Sequence, residues 1–195
     1  MPLFARPHRR SLAFFFLAAR PIIRGICVAP LTRQSVAITL LSCAVWLICT
    51  RWVLGSYHVE GRCMEPNLVT GERVLGEKIS LRLRAPRRGD VVIFFSPDEP
   101  GALYVKRVVA ASGETVSVRG GTVFVNGRAL REPYRVRPAH GDFAPHVVRP
   151  GFFFLLGDNR DDSSDSREFG DVPAASLVAR AAVRFWPPGR GLHRL

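Results

Sequence analysis

The feature that most constrains this chain is an uninterrupted apolar segment near its N-terminus. Residues 35–50 (SVAITLLSCAVWLICT) are 16 residues without a charge, and the apolar character continues past Arg51 to Gly55. A membrane-spanning helix needs about 20 residues, a length that the segment reaches if Arg51 extends its guanidinium to the interface. The sequence therefore predicts a transmembrane helix at residues 35–55, with a buried core helix as the alternative.

Charge is distributed unevenly around this segment. The chain has 28 basic and 16 acidic residues, a net charge of +12, yet residues 1–59 hold seven arginines and no acid. Because arginine accumulates on the cytoplasmic side of a span, residues 1–34 are predicted to be a basic cytoplasmic or interfacial segment. Its apolar stretch at 11–30 is interrupted by arginines and a proline, and a second span there is the alternative. This distribution favours membrane lipid over nucleic acid as a partner.

Residues 56–195 are predicted to form an extracytoplasmic domain that is mainly β. Short runs of β-branched and aromatic residues alternate with turns, and the Gly120–Gly121 pair predicts a hairpin. Residues 174–182 are typical of a helical turn or of a strand, and residues 187–195 of a polar tail. The predicted strands are Asp90–Phe95, Tyr104–Ala110, Thr115–Arg119, Thr122–Val125 and Gly151–Leu156.

Two side chains of this domain are candidates for nucleophilic chemistry. Cys63 is the only cysteine after residue 56, and a thiol becomes a nucleophile when a base removes its proton. Of the 28 basic residues only Lys78 and Lys106 are lysines, and a buried lysine can be neutral whereas arginine cannot. Lys106, within YVKRVV, is therefore a candidate base. The alternatives are a buried structural cysteine and an exposed strand lysine.

A dense polar loop follows the last apolar strand. Residues 157–167 contain four acids, two arginines and three serines, a density that predicts a hydrogen-bond network supporting a site. A Ca²⁺ loop is the alternative, but the glycine and glutamate of an EF-hand are missing, and neither a metal nor a cofactor is predicted. The histidines His58, His140 and His146 have no metal-ligand spacing with Cys63, and a Cys–His pair stays open.

Taken together, these motifs resemble the bacterial type I signal peptidases, or leader peptidases. The order is an apolar segment, G-x-C-M-x-P, R-G-D-V-V, Y-V-K-R-V-V and G-D-N-R-D-x-S-x-D-S-R-x-F-G, from about residue 35 to about residue 185. The resemblance implies an antiparallel β-sheet catalytic domain behind a transmembrane helix. It also implies a single-pass protein of the bacterial inner membrane, with its catalytic domain in the periplasm, that cleaves signal peptides from exported preproteins.

The resemblance also assigns roles to individual residues. Cys63 stands where the family has its serine nucleophile, and Lys106 stands where the family has its general base. Among the supporting positions, Ser163 orients the Lys106 amine, and Asp165 pairs with Arg167. Met64 and Pro66 shape the turn behind the nucleophile. The remaining supporting positions are in the polar loop: Asp158, Asn159 and Arg160. The partners implied are preprotein signal peptides and membrane lipid, with the protein acting as a monomer.

The nucleophile is where this sequence departs from the family. A thiol is more acidic than a hydroxyl, so Lys106 has an easier proton to remove from Cys63. Gly61, two residues earlier, has no hydroxyl for an oxyanion hole, and the backbone N–H of Cys63 is the predicted donor. The alternative is a catalytically inactive homologue that acts as a membrane binding or interaction protein. The cysteine favours it, whereas the intact Lys106 and polar loop oppose it.

Overall fold

The structure, a computed structural model, describes residues 33–48, 52–135, 140–188 and 193–195. Helix α1 spans Arg33–Ile48 and is 16 residues long. Within the described ranges, no helix has both the length and the apolar character needed to cross a membrane. The predicted helix at 35–55 differs at its end, because Leu54 and Gly55 pair with a neighbouring strand instead. The predicted interfacial stretch at 11–30 lies outside the described residues.

The part of the chain from Trp52 onward is built mainly of β-strands. Its elements are β1 (Leu54–His58), β2 (Arg73–Glu77), α2 (Ile79–Leu83), β3 (Val91–Phe95), β4 (Leu103–Ala111), β5 (Thr115–Arg119), β6 (Thr122–Val125), β7 (Arg128–Ala129), β8 (Phe143–Val147), β9 (Phe152–Leu156), α3 (Ser166–Phe169), β10 (Val172–Pro173), β11 (Leu177–Trp186) and β12 (His193–Arg194). The larger sheet has the order β1-β2-β11-β3-β4-β9-β10, with β12 beside β11, and the smaller sheet is β7-β6-β5-β8. All the pairings are antiparallel, which confirms the predicted antiparallel β-sheet domain.

Each of the five predicted strands begins and ends within one residue of the observed strand. The predicted glycine-pair hairpin joins β5 to β6. Residues 174–182 begin with a 3₁₀ turn at Ala174–Ser176 and continue into β11. The predicted polar tail is wrong at its end, since His193–Arg194 form β12. Strand β3 pairs with β11 only as far as Arg180, and β12 pairs with the later part of the same strand.

Strand β3 is buried on both faces, which explains its continuous apolar sequence VVIFF. Val91 and Ile93 pack in one core cluster, together with Met64. Val92 and Phe94 pack on the opposite face in a second cluster. Strand β4 lies between β3 and β9, so the candidate base that it carries stands on a strand supported on both edges.

Candidate active site

Cys63 lies on the loop that joins β1 to β2. The ends of this loop are tied together, since the Val59 N–H donates to the carbonyl oxygen of Glu72 at 2.8 Å. Met64, the next residue, is 1% exposed and packs in the core, while Pro66 is exposed within the turn that follows. The buried Met64 side chain therefore fixes the loop and leaves Cys63 half-buried.

Lys106 stands in the middle of β4, opposite Val92 of β3. Its side chain is 3% exposed overall, and its Nζ donates a hydrogen bond to Ser163 Oγ at 3.0 Å. Within the described ranges no carboxylate forms an ion pair with this amine. The amine is therefore buried and hydrogen-bonded to a hydroxyl.

Cys63 and Lys106 line the same cavity, which has a volume of about 410 Å³. The apolar side chains of Val59, Val74 and Ile93 form part of its wall. In the structure the Cys63 thiol donates to the carbonyl oxygen of Val105, with an Sγ–O distance of 3.8 Å. The Cys63 thiol therefore lies against the main chain of Val105, the residue before Lys106.

Asn159 fixes the main chain around Cys63. Its backbone N–H donates to the Cys63 carbonyl oxygen at 3.0 Å, and its side-chain Nδ2 donates to the Arg62 carbonyl oxygen at 3.1 Å. Gly157 lies against the same carbonyl: a Cβ there would be 2.6 Å from the Cys63 oxygen and would overlap Ser163. The start of the polar loop thus packs directly on the loop that carries Cys63.

Asp165 and Arg167 form a two-point ion pair beneath the polar loop. The Asp165 carboxylate, which is fully buried, accepts from Arg167 Nε at 2.8 Å and Nη2 at 2.9 Å, and from the Gly157 N–H at 3.1 Å. Burial lowers the pKa of Arg167, but the hydrogen bonds and charge of Asp165 outweigh it, so the pKa is raised overall. Arg167 also donates to the Arg160 carbonyl oxygen at 2.6 Å, which ties both ends of the loop together.

Asp158 is bound to Arg107 and not to the Lys106 amine. Arg107 Nε and Nη2 donate to its two carboxylate oxygens at 2.8 and 2.6 Å, and Asn67 Nδ2 donates to Oδ2 at 2.8 Å. The Arg107 guanidinium also stacks over the Tyr134 ring, 4.0 Å from its centroid. Because side chains alternate along a strand, Arg107 connects the loop to the face of β4 opposite Lys106.

Arg160 extends the network away from the cavity. Its Nε donates to the Gly157 carbonyl oxygen at 2.8 Å, and its Nη2 forms a close ion pair with Glu132. Burial raises the pKa of the Tyr134 hydroxyl, and the charge of Glu132, which accepts its hydrogen bond, raises it further. Arg160 therefore supports the loop from the side of residues 132–134.

The loop carboxylates do not converge on one point. Asp161 binds the exposed His140, with Oδ2 3.1 Å from Nδ1, and Asp162 lies 3.7 Å from Arg62, while the other two bind different arginines. Among the residues that the structure describes, no group of three or more metal-ligating side chains could hold an ion.

The histidines are divided between different parts of the fold. His146 binds the buried Asp171 at 2.8 Å and does not line the cavity of Cys63, and neither does His140. His58 lines that cavity, where its Nδ1 lies 3.5 Å from Glu60. Of these three histidines, His58 is therefore the one that could still form a Cys–His pair with Cys63.

Sequence reasoning missed three residues of this region. Arg107 and Asn67 bind Asp158, and Ser164 lines the cavity. An arginine inside an apolar strand, next to the candidate lysine, was a usable signal for a buried ion pair. Asn67 and Ser164 carry no comparable signal, because polar residues in turns are common.

Comparison with known proteins agrees with this architecture. The model of the family described as "Signal peptidase, peptidase S26" matches residues 31–186, which include every residue of the site described above. The chain belongs to this family, and its class is therefore that of a hydrolase, a signal peptidase I-like endopeptidase.

Individual relatives give the same result. The chain is 38% identical over 147 residues to a signal peptidase I of Leptolyngbya laminosa, covering 71% of this chain and 72% of the relative. It is 39% identical over 144 residues to a probable signal peptidase I-2 of Synechocystis sp., covering 71% and 66%. It is also 36% identical over 137 residues to thylakoidal processing peptidase 1 of Arabidopsis thaliana, covering 65% of this chain but only 40% of that protein.

Proposed function

We propose that this protein is a membrane-bound endopeptidase that cleaves signal peptides from exported preproteins, with Cys63 as nucleophile and Lys106 as general base. Signal peptide cleavage follows from the family. The observation that carries the cysteine–lysine pair is the buried Lys106 amine, 3.0 Å from Ser163 Oγ, in the cavity that Cys63 also lines. A nucleophile and a desolvated base on two sides of one cavity are what acyl transfer requires.

In the acylation step, Lys106 takes the thiol proton and Cys63 Sγ attacks the scissile carbonyl carbon. A carbon–sulfur bond forms, and the carbonyl electrons move onto oxygen. The carbon–nitrogen bond then breaks as Lys106 gives its proton to the leaving amine, which is the N-terminus of the mature protein. The signal peptide remains bound to Cys63 as a thioester.

In the deacylation step, a water molecule gives a proton to Lys106 and attacks the thioester carbon. The carbon–sulfur bond breaks, the sulfur regains the proton, and the signal peptide leaves with a carboxylic acid that releases its own proton to water. Lys106 must be neutral at the start of both steps, which an arginine at this position cannot be. The hydrogen bond with Ser163 keeps the amine in one orientation while its charge changes.

The backbone N–H of Cys63 is proposed to stabilise the oxyanion in both steps. None of the hydrogen bonds recorded within the described ranges uses this N–H, so it is available to a developing negative charge. The Cys63 carbonyl, in contrast, is held by the Asn159 N–H at 3.0 Å. That bond sets the plane of the peptide on one side of the nucleophile, and Asn159 acts as a positioning residue.

The substrate is proposed to carry small residues, typically alanine, at the first and third positions before the cut, after an apolar stretch. This preference follows from the family alone. The cavity of about 410 Å³, with valine and isoleucine in its wall, is compatible with small apolar side chains.

The protein is proposed to be a single-pass protein of the bacterial inner membrane, with its catalytic domain on the outer side. The support is the charge-free run of residues 35–50, most of which lies in α1, the apolar residues that follow it, and the arginines and missing acids before it. A reporter fused after residue 60 is expected to be exported and one fused at about residue 30 to stay in the cytoplasm. The reverse pattern would contradict this placement.

The experiment that tests the cysteine is cleavage of a model preprotein by the purified full-length protein. Wild type and Cys63→Ser are expected to cleave, because serine restores the family nucleophile, whereas Cys63→Ala is expected to be inactive. Alkylation should inactivate the wild type and spare Cys63→Ser. His58→Gln is the control for the Cys–His alternative and is expected to keep activity. A folded wild type and Cys63→Ser that both fail to cleave would support the inactive homologue instead.

A further inference from the structure

A second cavity, of about 370 Å³, lies between α2 and the start of β11. We call it the α2 cleft. Its walls include the apolar side chains of Leu81, Phe153, Leu177 and Val178. All the residues that line it are described, and none of them is acidic. It shares no lining residue with the cavity of Cys63, so the chemistry proposed above does not account for it.

Two cationic side chains line the α2 cleft, Lys78 and Arg82. Lys78 directly precedes α2, and Arg82 lies within it. The acid next to them in sequence, Glu77, is already bound by Arg180 at 2.7 Å and by the Ser80 N–H at 2.9 Å. The Glu77 carboxylate therefore has a cationic partner of its own in Arg180.

Arg82 is held in place by Trp52. Its Nη1 donates to the Trp52 carbonyl oxygen at 3.2 Å, and its guanidinium lies 4.8 Å from the centroid of the Trp52 ring. A guanidinium has five N–H donors, and only one is used by that bond. The remaining donors are available to an anion in a site whose geometry is already fixed.

Exposed apolar side chains surround these cations. Leu83 at the end of α2 is 80% exposed, Trp52 is 55% exposed and Ile79 is 42% exposed. Basic residues combined with tryptophan and exposed aliphatic side chains are typical of surfaces that contact anionic lipid. In the sequence, Trp52 comes four residues after Ile48, where the mainly apolar helix α1 ends.

We propose that the α2 cleft binds an anionic phospholipid. Lys78 and Arg82 bind the phosphate, and the apolar wall of Leu81, Leu177 and Val178 contacts the glycerol and the upper part of an acyl chain. A lipid uses both the charge and the apolar wall of the cleft, whereas free phosphate uses only the charge. This inference rests on the membrane location proposed above and adds a lipid class to it.

The test is native mass spectrometry of the full-length protein in detergent, with phosphatidylglycerol or phosphatidylcholine added at equal concentration. The wild type should retain phosphatidylglycerol preferentially. Lys78→Gln combined with Arg82→Gln should lower that affinity about 30-fold, since each basic residue near anionic lipid contributes about fivefold. Arg128→Gln combined with Arg131→Gln removes the same charge from the smaller sheet side and should change nothing.

Further measurements distinguish lipid binding in the α2 cleft from loss of fold and from binding of phosphate alone. Lys78→Arg keeps the charge and should keep the lipid, and the double glutamine variant should have the circular dichroism spectrum of the wild type, so that its loss of lipid is not a loss of fold. Ala175→Phe places bulk in the cleft without changing charge and should reduce retention, while inorganic phosphate at the same concentration as the lipid should not displace it. Retention by the double glutamine variant, or displacement by phosphate, would overturn the proposal.

The binding assay does not depend on cleavage. Cys63→Ala should retain phosphatidylglycerol as the wild type does, because Cys63 does not line the α2 cleft. A protein that binds this lipid but cleaves no preprotein contradicts only the proposed function. A protein that cleaves preproteins but shows no preference for phosphatidylglycerol contradicts only the lipid proposal.

Discussion

The Lys106 amine donates a hydrogen bond to Ser163 Oγ, and the two atoms are 3.0 Å apart. This bond joins the central strand β4 to the polar loop across 57 residues of sequence. The hydroxyl is held against Gly157, where a side chain would overlap it. The position of the Lys106 amine therefore depends on the Ser163 hydroxyl. That hydroxyl can occupy its place only because residue 157 is a glycine.

Ser163→Ala is expected to lower kcat about 100-fold, a loss typical of a catalytic group misplaced by about an ångström. The KM should change little, because Ser163 orients the base and is not proposed to bind the substrate. Steady-state cleavage of a preprotein measures both constants. Ser112→Ala is the control, since it also removes a hydroxyl that accepts a hydrogen bond, in this case from the Gly151 N–H at 2.8 Å. An unchanged kcat in Ser163→Ala would mean that Lys106 needs no orienting hydroxyl.

Lys106→Arg is expected to lower kcat by a factor of about 10²–10⁴, the contribution of a positioned general base. Arginine preserves the positive charge but cannot give up its proton at any working pH. The control is Lys78→Arg, because Lys78 is the only other lysine of the chain and does not line the Cys63 cavity. Near-normal turnover in Lys106→Arg would place the base elsewhere, and His58 would then be the candidate.

The strands were predictable because their signals are local. The runs around residues 91–95 and 115–125 alternate or stay apolar within a few residues, and a glycine pair marks the hairpin between β5 and β6. The end of the first helix and strand β12 were not predictable in this way. Leu54 joins the sheet through Glu77, a partner distant in sequence, and β12 has only two residues, too few to show an alternating pattern.

Part of the candidate site was likewise predictable from the sequence, and part was not. Cys63, Lys106 and Ser163 were identified through motifs, and the structure places the Lys106 amine beside Ser163 and Cys63 in the cavity with Lys106. The partner of Asp158 was not identified, because Arg107 lies 51 residues earlier in the chain. A contact between a strand and a remote loop depends on the three-dimensional arrangement, and a single sequence contains no direct signal for it.

Gly157→Ala is expected to damage both folding and catalysis. The new Cβ would lie 2.6 Å from the Cys63 carbonyl oxygen and would overlap the Ser163 side chain, so the polar loop must move away from Cys63. Overpacking of this kind costs about 1–3 kcal/mol of unfolding free energy, and displacement of Ser163 adds a loss of kcat.

Chemical denaturation and preprotein cleavage measure the two effects of Gly157→Ala. Gly141→Ala is the control for kcat: its positive φ strains an alanine and lowers stability, but a Cβ there meets no atom within 4 Å, so kcat should not change. Equal stability and equal kcat for Gly157→Ala and wild type would show that the loop has room that the structure does not suggest.

Glu77→Gln is expected to make stability less dependent on pH in the acid range. Burial raises the pKa of Glu77, but hydrogen bonds from Ser80 and Arg180 outweigh it, so the pKa lies below its ordinary value of 4.5. The ionised carboxylate therefore stabilises the fold fully above pH 4.5, and this stabilisation is lost as the pH falls through the lower folded-state pKa.

At pH 7 Glu77→Gln should consequently be less stable than wild type, and the difference should shrink as the pH falls below 4.5. Urea midpoints measured from pH 7 to pH 3 provide the comparison. Asp98→Asn makes the same change of charge at an exposed loop position and should leave the wild-type pH profile unchanged. Glu77 joins β2 to β11 through Arg180 at 2.7 Å, so a constant difference between wild type and Glu77→Gln across this range would mean that the contact stabilises the sheet without depending on the charge of Glu77.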